Sequence, residues 1–412
     1  MMQSYVIVGS GPAAVNAAKA IRDEDKKGII QIFSAEPSLP YKRIKLSKAL
    51  YSDLASEKVL IKKEKWYAKN EIQVHTSVKI EAINTTEQYV TTSEGDEVSY
   101  DKLLLCTGAN NRPLPVDGVD LPGVFAIRDK QDAEDFKAYM ENKTDVVVIG
   151  GGIQGLETAW SLQQEGKRVT IIELAPRLMA RQLDEQTSQL VKEKVETAGV
   201  SVYVNTAIDR IVEENGEVAG VQVNGGEIIT CESVIYSIGV IPNIQLLKGS
   251  SIKTNRGVVV NEQMQTNDPD IFAAGDVAEL NSVVDGLWNT AMDEGKVAGQ
   301  YMAGKQTNYE KATIMTIFNA FDTELFSIGN VDESQVDKTI KENREDGTYT
   351  TLFIKDQSII GVISLEGVAQ SMVYKSAIEQ EVSLADIDVT TANVQEVMNA
   401  VKEKQNQQVV SI

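Results

Sequence analysis

The sequence predicts an α/β protein with two doubly wound parallel-sheet domains and a small α+β domain near the C-terminal end. Two observations predict the first part. A strand, a glycine-rich turn, a helix, a second strand and an acidic residue follow one another from residue 4, and the same series returns from residue 146. A third observation, strand-like alternation after residue 311, predicts the smaller domain. A chain of 412 residues with 42% hydrophobic residues is long enough for two or three separate cores.

The copy that begins at residue 146 is the more regular one. Its run VVVI is typical of a buried parallel strand and leads into Gly150, Gly152 and Gly155, at the GxGxxG spacing. The three glycines serve a tight turn, the approach of a pyrophosphate to the backbone, and close packing of helix on strand. A helix is predicted over residues 156–163. A second strand, over residues 168–172, ends in Glu173, which is placed to bind a ribose diol. The pattern predicts a dinucleotide site rather than an ordinary glycine turn.

The first copy has the same parts in the same order. A strand over residues 4–8 leads into the variant fingerprint GxGxxA at residues 9–14, and a helix over residues 13–22 follows. The next strand, residues 29–33, has Glu36 just past its end. Two complete Rossmann-like modules predict two bound dinucleotides with electron transfer between them. The alternative, that one module no longer binds a nucleotide, is disfavoured because neither has lost its glycines or its acid.

Composition excludes several classes of function. With 40 Lys and Arg against 60 Asp and Glu, the net charge of −20 argues against nucleic acid and anionic membranes. The acidity indicates solubility or, alternatively, steering of a cationic partner. No apolar run reaches the ~20 residues of a membrane span, and the chain starts with a strand rather than a signal segment, so we expect a cytoplasmic protein.

Cysteine and histidine are too few for several chemistries. Cys106 and Cys231 lie in apolar strand-like runs and form no CxxC pair, so no disulfide framework, cysteine-rich metal site or dithiol centre is expected, and no metal. The single histidine, His75, lies in the alternating run IQVHTSV and is interpreted as a solvent-facing strand residue. Histidine-based triads and zinc sites are excluded by this count.

Three further segments carry a specific resemblance. Residues 40–48 (PYKRIKLSK), the turn Cys106-Thr107-Gly108 and residues 271–279 (IFAAGDVAE) are similar to elements of the two-dinucleotide flavoprotein reductases. That family includes rubredoxin reductases, the ferredoxin reductases of aromatic oxygenases and the flavin module of assimilatory nitrite reductases. Its disulfide and peroxide branches have a reactive cysteine where this chain has none, from Glu36 to Tyr51. The chain therefore resembles the cysteine-less branch.

The resemblance implies FAD in the first module, NADH in the second, and a role for each matching residue. Lys48 would lie near flavin N5 and Glu157 would pair with it, as the two catalytic residues, although each could instead be a solvated helix residue. Trp288 would pack at the flavin ring or be plain core. The full flavin-site assignment is Gly9, Gly11, Pro12, Ala13, Ala14, Glu36, Arg43, Lys48, Val78, Cys106, Thr107, Gly108, Arg128, Gly275, Asp276 and Trp288. The nicotinamide-site assignment is Gly150, Gly152, Ile153, Gln154, Gly155, Glu173, Arg181 and Gly239.

The choice between NADH and NADPH depends on charge at the end of the second strand. The carboxylate of Glu173 would repel a 2′-phosphate, which favours NADH. Arg177 and Arg181 weaken this inference because an arginine near that loop can accept a phosphate.

The predicted domain boundaries place the NAD domain, residues 113–244, inside a discontinuous FAD domain, residues 1–112 and 245–310. Residues 311–412 form the C-terminal domain, which would cover the far face of the flavin or a dimer partner, in a monomer or homodimer. Its predicted elements are a strand over 313–328, a hairpin of 348–355 with 359–365, helices over 367–379 and 392–402, and a disordered tail from residue 404.

These observations predict an NADH-dependent FAD reductase that passes electrons to a small rubredoxin- or ferredoxin-like protein without a cysteine relay. Lys42, Arg43, Lys45 and Lys48 form the dense basic cluster where such a partner would dock. One alternative is an NADH oxidase that reduces oxygen to peroxide. Another, from a different class, is a redox-sensing flavoprotein scaffold with slow turnover.

Overall fold

The structure is a computed structural model and describes residues 2–410. The strands of residues 2–112 are β1 (Ser4–Val8), β2 (Ile29–Phe33), β3 (Ile72–His75), β4 (Ile80–Asn84), β5 (Tyr89–Thr92), β6 (Glu97–Ser99), β7 (Lys102–Leu105) and β8 (Ala109–Asn111). The helices of this part are α1 (Pro12–Glu24), α2 (Lys45–Lys48) and α3 (Glu64–Lys69).

The middle of the chain adds a second α/β unit. Its strands are β9 (Val124–Phe125), β10 (Asp145–Ile149), β11 (Arg168–Ile172), β12 (Ser201–Tyr203), β13 (Ile208–Glu214), β14 (Glu217–Val223), β15 (Glu227–Thr230), β16 (Ser233–Tyr236) and β17 (Val240–Pro242). Its helices are α4 (Lys130–Tyr139), α5 (Ile153–Gln164) and α6 (Glu185–Thr197).

The remaining residues return to the first unit and then form a third. Residues 245–310 contain β18 (Val258–Val260), β19 (Ile271–Ala273), β20 (Ala278–Leu280) and α7 (Trp288–Met302). The C-terminal part contains β21 (Met315–Ala320), β22 (Thr323–Gly329), β23 (Lys338–Asn343), β24 (Tyr349–Lys355), β25 (Ser358–Leu365), α8 (Ser371–Glu379) and α9 (Val394–Val410).

The two predicted modules each form a five-stranded parallel sheet. The first has the order β19-β7-β1-β2-β3 and the second the order β12-β11-β10-β16-β9. The central strands β1 and β10 are almost fully buried because both faces of a parallel sheet are covered. The strands of the first sheet come from two parts of the chain, one before and one after the residues that form the second sheet. The exact domain boundaries stay a prediction.

The helices that cover the first sheet pack unusually closely. A Cβ atom added to Gly295 or Gly299 of α7 would lie 2.2 or 2.4 Å from a backbone oxygen of α1. The absence of these side chains lets the two helices touch along their backbones. Two smaller antiparallel sheets, β4-β5-β6 and β13-β14-β15, pack into the apolar cores of the first and second units, respectively.

The C-terminal unit is an antiparallel sheet with the order β21-β22-β25-β24-β23 and two helices. The hairpin predicted around Asp356 is present, with Asp356 and Gln357 at positive φ. The single strand predicted over 313–328 is wrong, since the chain reverses at Phe321 and Asp322, both at positive φ, and forms β21 and β22. The sheet also contains β23, which the sequence reading missed.

Both C-terminal helices start later than predicted. α8 begins at Ser371 after a short 3₁₀ turn, and α9 begins at Val394. The prediction of a disordered tail from residue 404 is wrong as far as Val410, because α9 continues to that residue, and residues 411–412 lie outside the described residues. The sheet packs within the chain on α5, where the ring of Phe321 lies 5.0 Å from that of Trp160.

Candidate functional site

The two glycine-rich turns are built in the same way. Gly9 follows β1 at φ +105°, and Gly150 follows β10 at φ +110°. A Cβ at Gly9 would lie 2.0 Å from the backbone oxygen of Cys106, and one at Gly150 would lie 2.6 Å from that of Ser237. Each turn therefore requires glycine for two reasons: its backbone has a positive φ angle, and the end of a neighbouring strand leaves no space for a Cβ atom.

The second glycine of each fingerprint is kept open on its outer side. Gly11 and Gly152 are the N-cap residues of α1 and α5, with ordinary φ angles of −77° and −79°. No described side chain caps either helix, and no described atom lies within 4 Å of a Cβ built at either glycine. By contrast, Asp129 caps α4 and Asp184 caps α6. Unpaired N–H groups at an open helix N-terminus fit a pyrophosphate.

Glu173, just past the end of β11, is hydrogen-bonded to the backbone. Its carboxylate accepts hydrogen bonds from the N–H groups of Gly151, at 2.5 Å, and Ala175, at 2.7 Å. Arg177 turns away from it and donates to the carbonyl oxygens of Leu183 and Ala180, both at 3.3 Å. Arg181 is exposed. The nicotinamide-side module therefore presents a carboxylate beside its glycine turn.

Glu36, the matching acid of the first module, has different partners. It forms an ion pair with Arg43 and accepts a hydrogen bond of 2.7 Å from the Tyr41 hydroxyl. Arg43 also donates to the carbonyl oxygen of Arg128 at 2.8 Å. Burial opposes the charge of Arg43, but its neighbours Tyr41 and Glu36 more than offset burial and raise its pKa. Arg43 thus faces inward, so its expected place in a basic docking surface is not supported by this geometry.

Lys48 and Glu157, from the two different modules, meet where α2 packs on α5. The distance from Lys48 Nζ to Glu157 Oε1 is 3.1 Å, and the Ser47 hydroxyl donates to Glu157 Oε2 at 3.0 Å. The Glu157 side chain is 5% exposed, whereas that of Lys48 is 40% exposed. Burial raises the pKa of Glu157, and the nearby Lys48 ammonium opposes that rise. The pair therefore joins a buried carboxylate to an ammonium at the surface.

Asp276 and Arg128, assigned to the flavin site from distant parts of the chain, also meet. Arg128 donates to Asp276 Oδ2 at 3.0 Å. The turn that carries Asp276 has Gly275 at φ +82°, and the Gly275 N–H donates to the buried Glu294 at 2.7 Å. The turn is thus held from two sides, by Arg128 through Asp276 and by the carboxyl group of Glu294 through Gly275.

The Cys106-Thr107-Gly108 turn is bound to the strand that closes the second unit. The Asn243 side chain donates to the Thr107 carbonyl at 2.9 Å, and the Thr107 hydroxyl donates back to the Asn243 carbonyl at 3.0 Å. Cys106 is buried, which raises its pKa. A second free cysteine, Cys231, has its pKa raised to about 12 by burial.

The other assigned residues lie along the same features. Trp288 is half-buried at the start of α7 and belongs to no apolar cluster of the described chain. Val78 is half-buried against the first core, and Gly239 is at φ +102°. The first turns of α1 and α5 are formed by the remaining residues, Pro12, Ala13, Ala14, Ile153 and Gln154. A Cβ atom added to Gly155 would lie 1.9 Å from the carbonyl oxygen of Gly150, so this position has room only for glycine.

Sequence reasoning missed the contributions of Ser47 and Glu294. Ser47 lies within the segment 40–48 and Glu294 lies in α7, but the sequence around neither residue indicates that its side chain is buried against the site. His75 is half-buried rather than solvent-facing, since its ring stacks on Phe33 at 4.5 Å and bonds to Gln31 at 3.2 Å. Residues 2–410 contain no cluster of ligating side chains suited to a metal ion and no helix long and apolar enough to cross a membrane.

Two open glycine turns, with a lysine–glutamate pair between the units that carry them, are the arrangement expected of a pyridine-nucleotide-linked oxidoreductase with two cofactor sites. The chain belongs to the pyridine nucleotide-disulphide oxidoreductase family, whose model matches residues 3–295. Residues 315–382 match the C-terminal domain of rubredoxin NAD⁺ reductase. The family assignment confirms the predicted class of enzyme and its cofactors, FAD and NAD(H).

Known relatives agree with the family assignment. The chain is 36% identical to a rubredoxin-NAD⁺ reductase of Pseudomonas putida over 74% of this chain and 81% of that protein. It is 33% identical to a nitrite reductase [NAD(P)H] of Bacillus subtilis over 93% of this chain, but it spans only about half (48%) of that protein. The crystal structure of NADH:rubredoxin oxidoreductase from Clostridium acetobutylicum superposes with a TM-score of 0.80 at 29% identity, covering 97% of this chain and 100% of that one.

Proposed function

We propose that this protein is an NADH-dependent flavoprotein reductase that delivers electrons to a small redox protein of the rubredoxin or ferredoxin kind. FAD, when bound, accepts a hydride from NADH and releases electrons one or two at a time. The observation that carries the proposal is the meeting of α2 with α5. This contact brings a helix of the first unit against α5, the helix that follows the glycine turn of the second unit, which supports two adjoining cofactor sites.

In this proposal Lys48 and Glu157 act as a unit at the junction of the two sites. The buried carboxylate, held by Ser47, fixes the position of the Lys48 ammonium at 3.1 Å. A fixed ammonium stabilises negative charge that develops beside it, and it is worth more when its position is set in advance. Its exposed side leaves room for the nicotinamide to approach.

A cysteine relay is not part of the proposed function. Cys106 and Cys231 are both buried, and burial raises the pKa of each thiol, so neither is a ready thiolate at neutral pH. Electrons would therefore leave from the flavin directly. We also propose that the enzyme works in the cytoplasm, where both a pool of NADH and reduced cysteines are found.

The nucleotide preferred is NADH. The carboxylate of Glu173 accepts hydrogen bonds from two backbone N–H groups, and these bonds would have to break for it to move aside for a 2′-phosphate. Arg177 is engaged by backbone carbonyl oxygens and does not offset the carboxylate charge. Repulsion between Glu173 and a 2′-phosphate therefore supports discrimination against NADPH.

The proposed docking surface for the acceptor consists of Lys42 and Lys45, next to the exposed Ile44. Arg43 and Lys48 are engaged in ion pairs, which leaves these two lysines without an ion pair among the described residues. The rest of the surface is acidic on average, so an acidic carrier would be steered to this positive patch. Replacing Lys42 and Lys45 with glutamate should slow acceptor reduction and remove its salt dependence.

A matched control keeps the change of net charge constant. Lys65 and Lys69 on α3 lie beside the edge strand β3, and the same two replacements there should leave acceptor reduction unchanged. If both double variants slow the acceptor reaction equally, the effect is one of overall charge and the docking surface is wrong. NADH reduction of the flavin should be the same in all three proteins.

The function itself is tested by anaerobic stopped-flow mixing with NADH, followed by a second mixing with rubredoxin, ferredoxin or oxygen. We expect fast flavin reduction, fast reoxidation by a carrier protein and slow reoxidation by oxygen. Fast reoxidation by oxygen alone would favour the oxidase. Sluggish reduction by NADH would favour a redox-sensing scaffold and contradict the proposal.

A further inference from the structure

Glu294 is the one buried glutamate that faces the Gly275–Asp276 turn. It is 5% exposed and lies one and a half turns into α7. Its Oε2 atom accepts a hydrogen bond of 2.7 Å from the Gly275 N–H, the single hydrogen bond it makes among the described residues. Gly275 is at φ +82° and leads directly into Asp276. Glu294 therefore holds the backbone from which the flavin-side aspartate projects.

The surroundings of Glu294 disfavour a negative charge. The α1 residues that pack on the neighbouring Gly295 and Gly299 are Ala13 and Ala17, which have no charge. Burial raises the pKa of Glu294 to about 8, although the hydrogen bond from the Gly275 N–H opposes the rise. The negative charges of Asp285 and Asp276 add to the rise, and Lys311 opposes it. The titratable groups that face it from all packed elements are Asp276, Asp285, Cys106, Tyr309 and Lys311.

We propose that Glu294 is a positioning residue for the flavin-binding turn and that binding of FAD is coupled to the uptake of one proton by its carboxyl group. Around pH 8 the free protein holds Glu294 partly ionised. FAD brings phosphate charge and excludes water near the turn, and both effects favour the protonated carboxyl. The bound state therefore holds more protons than the free state, and the affinity for FAD falls as pH rises. The inference rests on the flavin site, and the identity of the acceptor does not enter it.

The test is titration of FAD into the flavin-free full-length protein between pH 6.5 and 9.5, by quenching of flavin fluorescence. In the unmodified protein the dissociation constant should rise above about pH 8, by at most about tenfold per pH unit, the limit for one proton. In Glu294→Gln, whose amide oxygen can still accept from Gly275, the constant should be nearly independent of pH. The same pH dependence in both proteins would overturn the proposal.

Glu279→Gln is the matched control. Glu279 also has little exposed surface, at 2% exposure, and it also accepts a hydrogen bond from a glycine N–H, that of Gly257 at 2.9 Å. Its pKa is lowered, because hydrogen bonds to its carboxylate outweigh burial. The control variant should keep the pH dependence of the unmodified protein, including any titration of FAD itself. Loss of that dependence in Glu279→Gln as well would contradict the assignment to Glu294.

A second measurement needs no variant. Calorimetry of FAD binding at pH 8.5 in two buffers of different ionisation enthalpy counts the protons taken up. We expect a net uptake of a sizeable fraction of one proton. FAD binding without uptake overturns the role of Glu294 and leaves the flavin site intact, whereas no FAD binding at any pH would overturn the flavin site as well.

Discussion

Replacing Glu157 with glutamine separates a functional ion pair from a structural one. Glutamine keeps the shape of the side chain and can still accept from Ser47, but it removes the charge that fixes Lys48. We expect flavin reduction by NADH to slow while the fold keeps its stability. A structural pair would give the opposite result.

The magnitude follows from the distances. Two unit charges 3.1 Å apart attract by about 5 kcal/mol at an effective dielectric constant of ~20. Lys48 is 40% exposed, so most of this is offset by solvation, and a hydrogen bond to a charged group contributes about 1.5–3 kcal/mol net. If this energy fixes the ammonium in the transition state, the rate of flavin reduction should fall by about 10- to 100-fold.

Stability should change in the other direction. Burial raises the pKa of Glu157, so the folded protein binds its proton more tightly than the unfolded chain does. The stability from this proton is therefore lost as pH rises through the folded pKa. A neutral glutamine avoids that loss. The ammonium group of Lys48, left without its partner, is exposed enough to be solvated by water. We expect the free energy of unfolding of Glu157→Gln to equal that of the parent or exceed it by about 1 kcal/mol, more at pH 8 than at pH 5.

The assay is anaerobic stopped-flow reduction by NADH, paired with urea unfolding at both pH values. Glu217→Gln is the control, because it removes the exposed pair with Lys143, at 2.7 Å, elsewhere on the same unit. Its rate of flavin reduction should match the parent. Flavin reduction within twofold of the parent in Glu157→Gln, together with a stability loss of about 2 kcal/mol, would refute the reasoning.

Three further predictions concern the nicotinamide unit. Gly152→Ala should weaken NADH binding at least tenfold with little change in melting temperature. Gly155→Ala, whose Cβ would lie 1.9 Å from a backbone oxygen, should instead lower the free energy of unfolding by about 3 kcal/mol or more in thermal unfolding. Glu173→Ala should shift the ratio of kcat/KM for NADH over NADPH by roughly tenfold towards NADPH, since it removes a repulsive charge; an unchanged ratio would contradict the role of Glu173. Asp184→Ala removes the cap of α6 and the bond from Thr351 at 3.0 Å, and urea unfolding should show a loss of about 2–4 kcal/mol with flavin content retained.

The sequence predicted the elements whose periodicity and glycines are local. Strands β1, β2 and β11 have the predicted bounds, because apolar runs between a glycine turn and a polar break leave no other register. The hairpin of β21 and β22 was missed because its turn, Phe321-Asp322, has no glycine or asparagine to mark it. Burial of Phe321 against Trp160 holds that turn, and such a contact between distant segments leaves no local pattern.

The same limit applies to the site. Motif spacing indicated Lys48 and Glu157 separately, and only the packing of α2 on α5 brings them to 3.1 Å. The sequence also predicted that Arg43 lies on the surface with Lys42 and Lys45, because three cationic residues among four suggest a solvated patch. In the structure Arg43 points inward because it forms an ion pair with Glu36. No local repeat in the sequence links these two residues.

That counter-charge distinguishes two modules that are otherwise alike. Glu36 is neutralised by Arg43 and bonded by Tyr41, whereas Glu173 is held by backbone N–H groups and keeps its net charge. A neutralised acid adds little repulsion towards the phosphates of a dinucleotide, which suits a cofactor that stays bound. An acid with its full charge still binds a ribose diol but opposes any added phosphate, which suits a substrate that must be chosen and released. One fold thus serves a resident cofactor and an exchanging one through the partners of a single carboxylate.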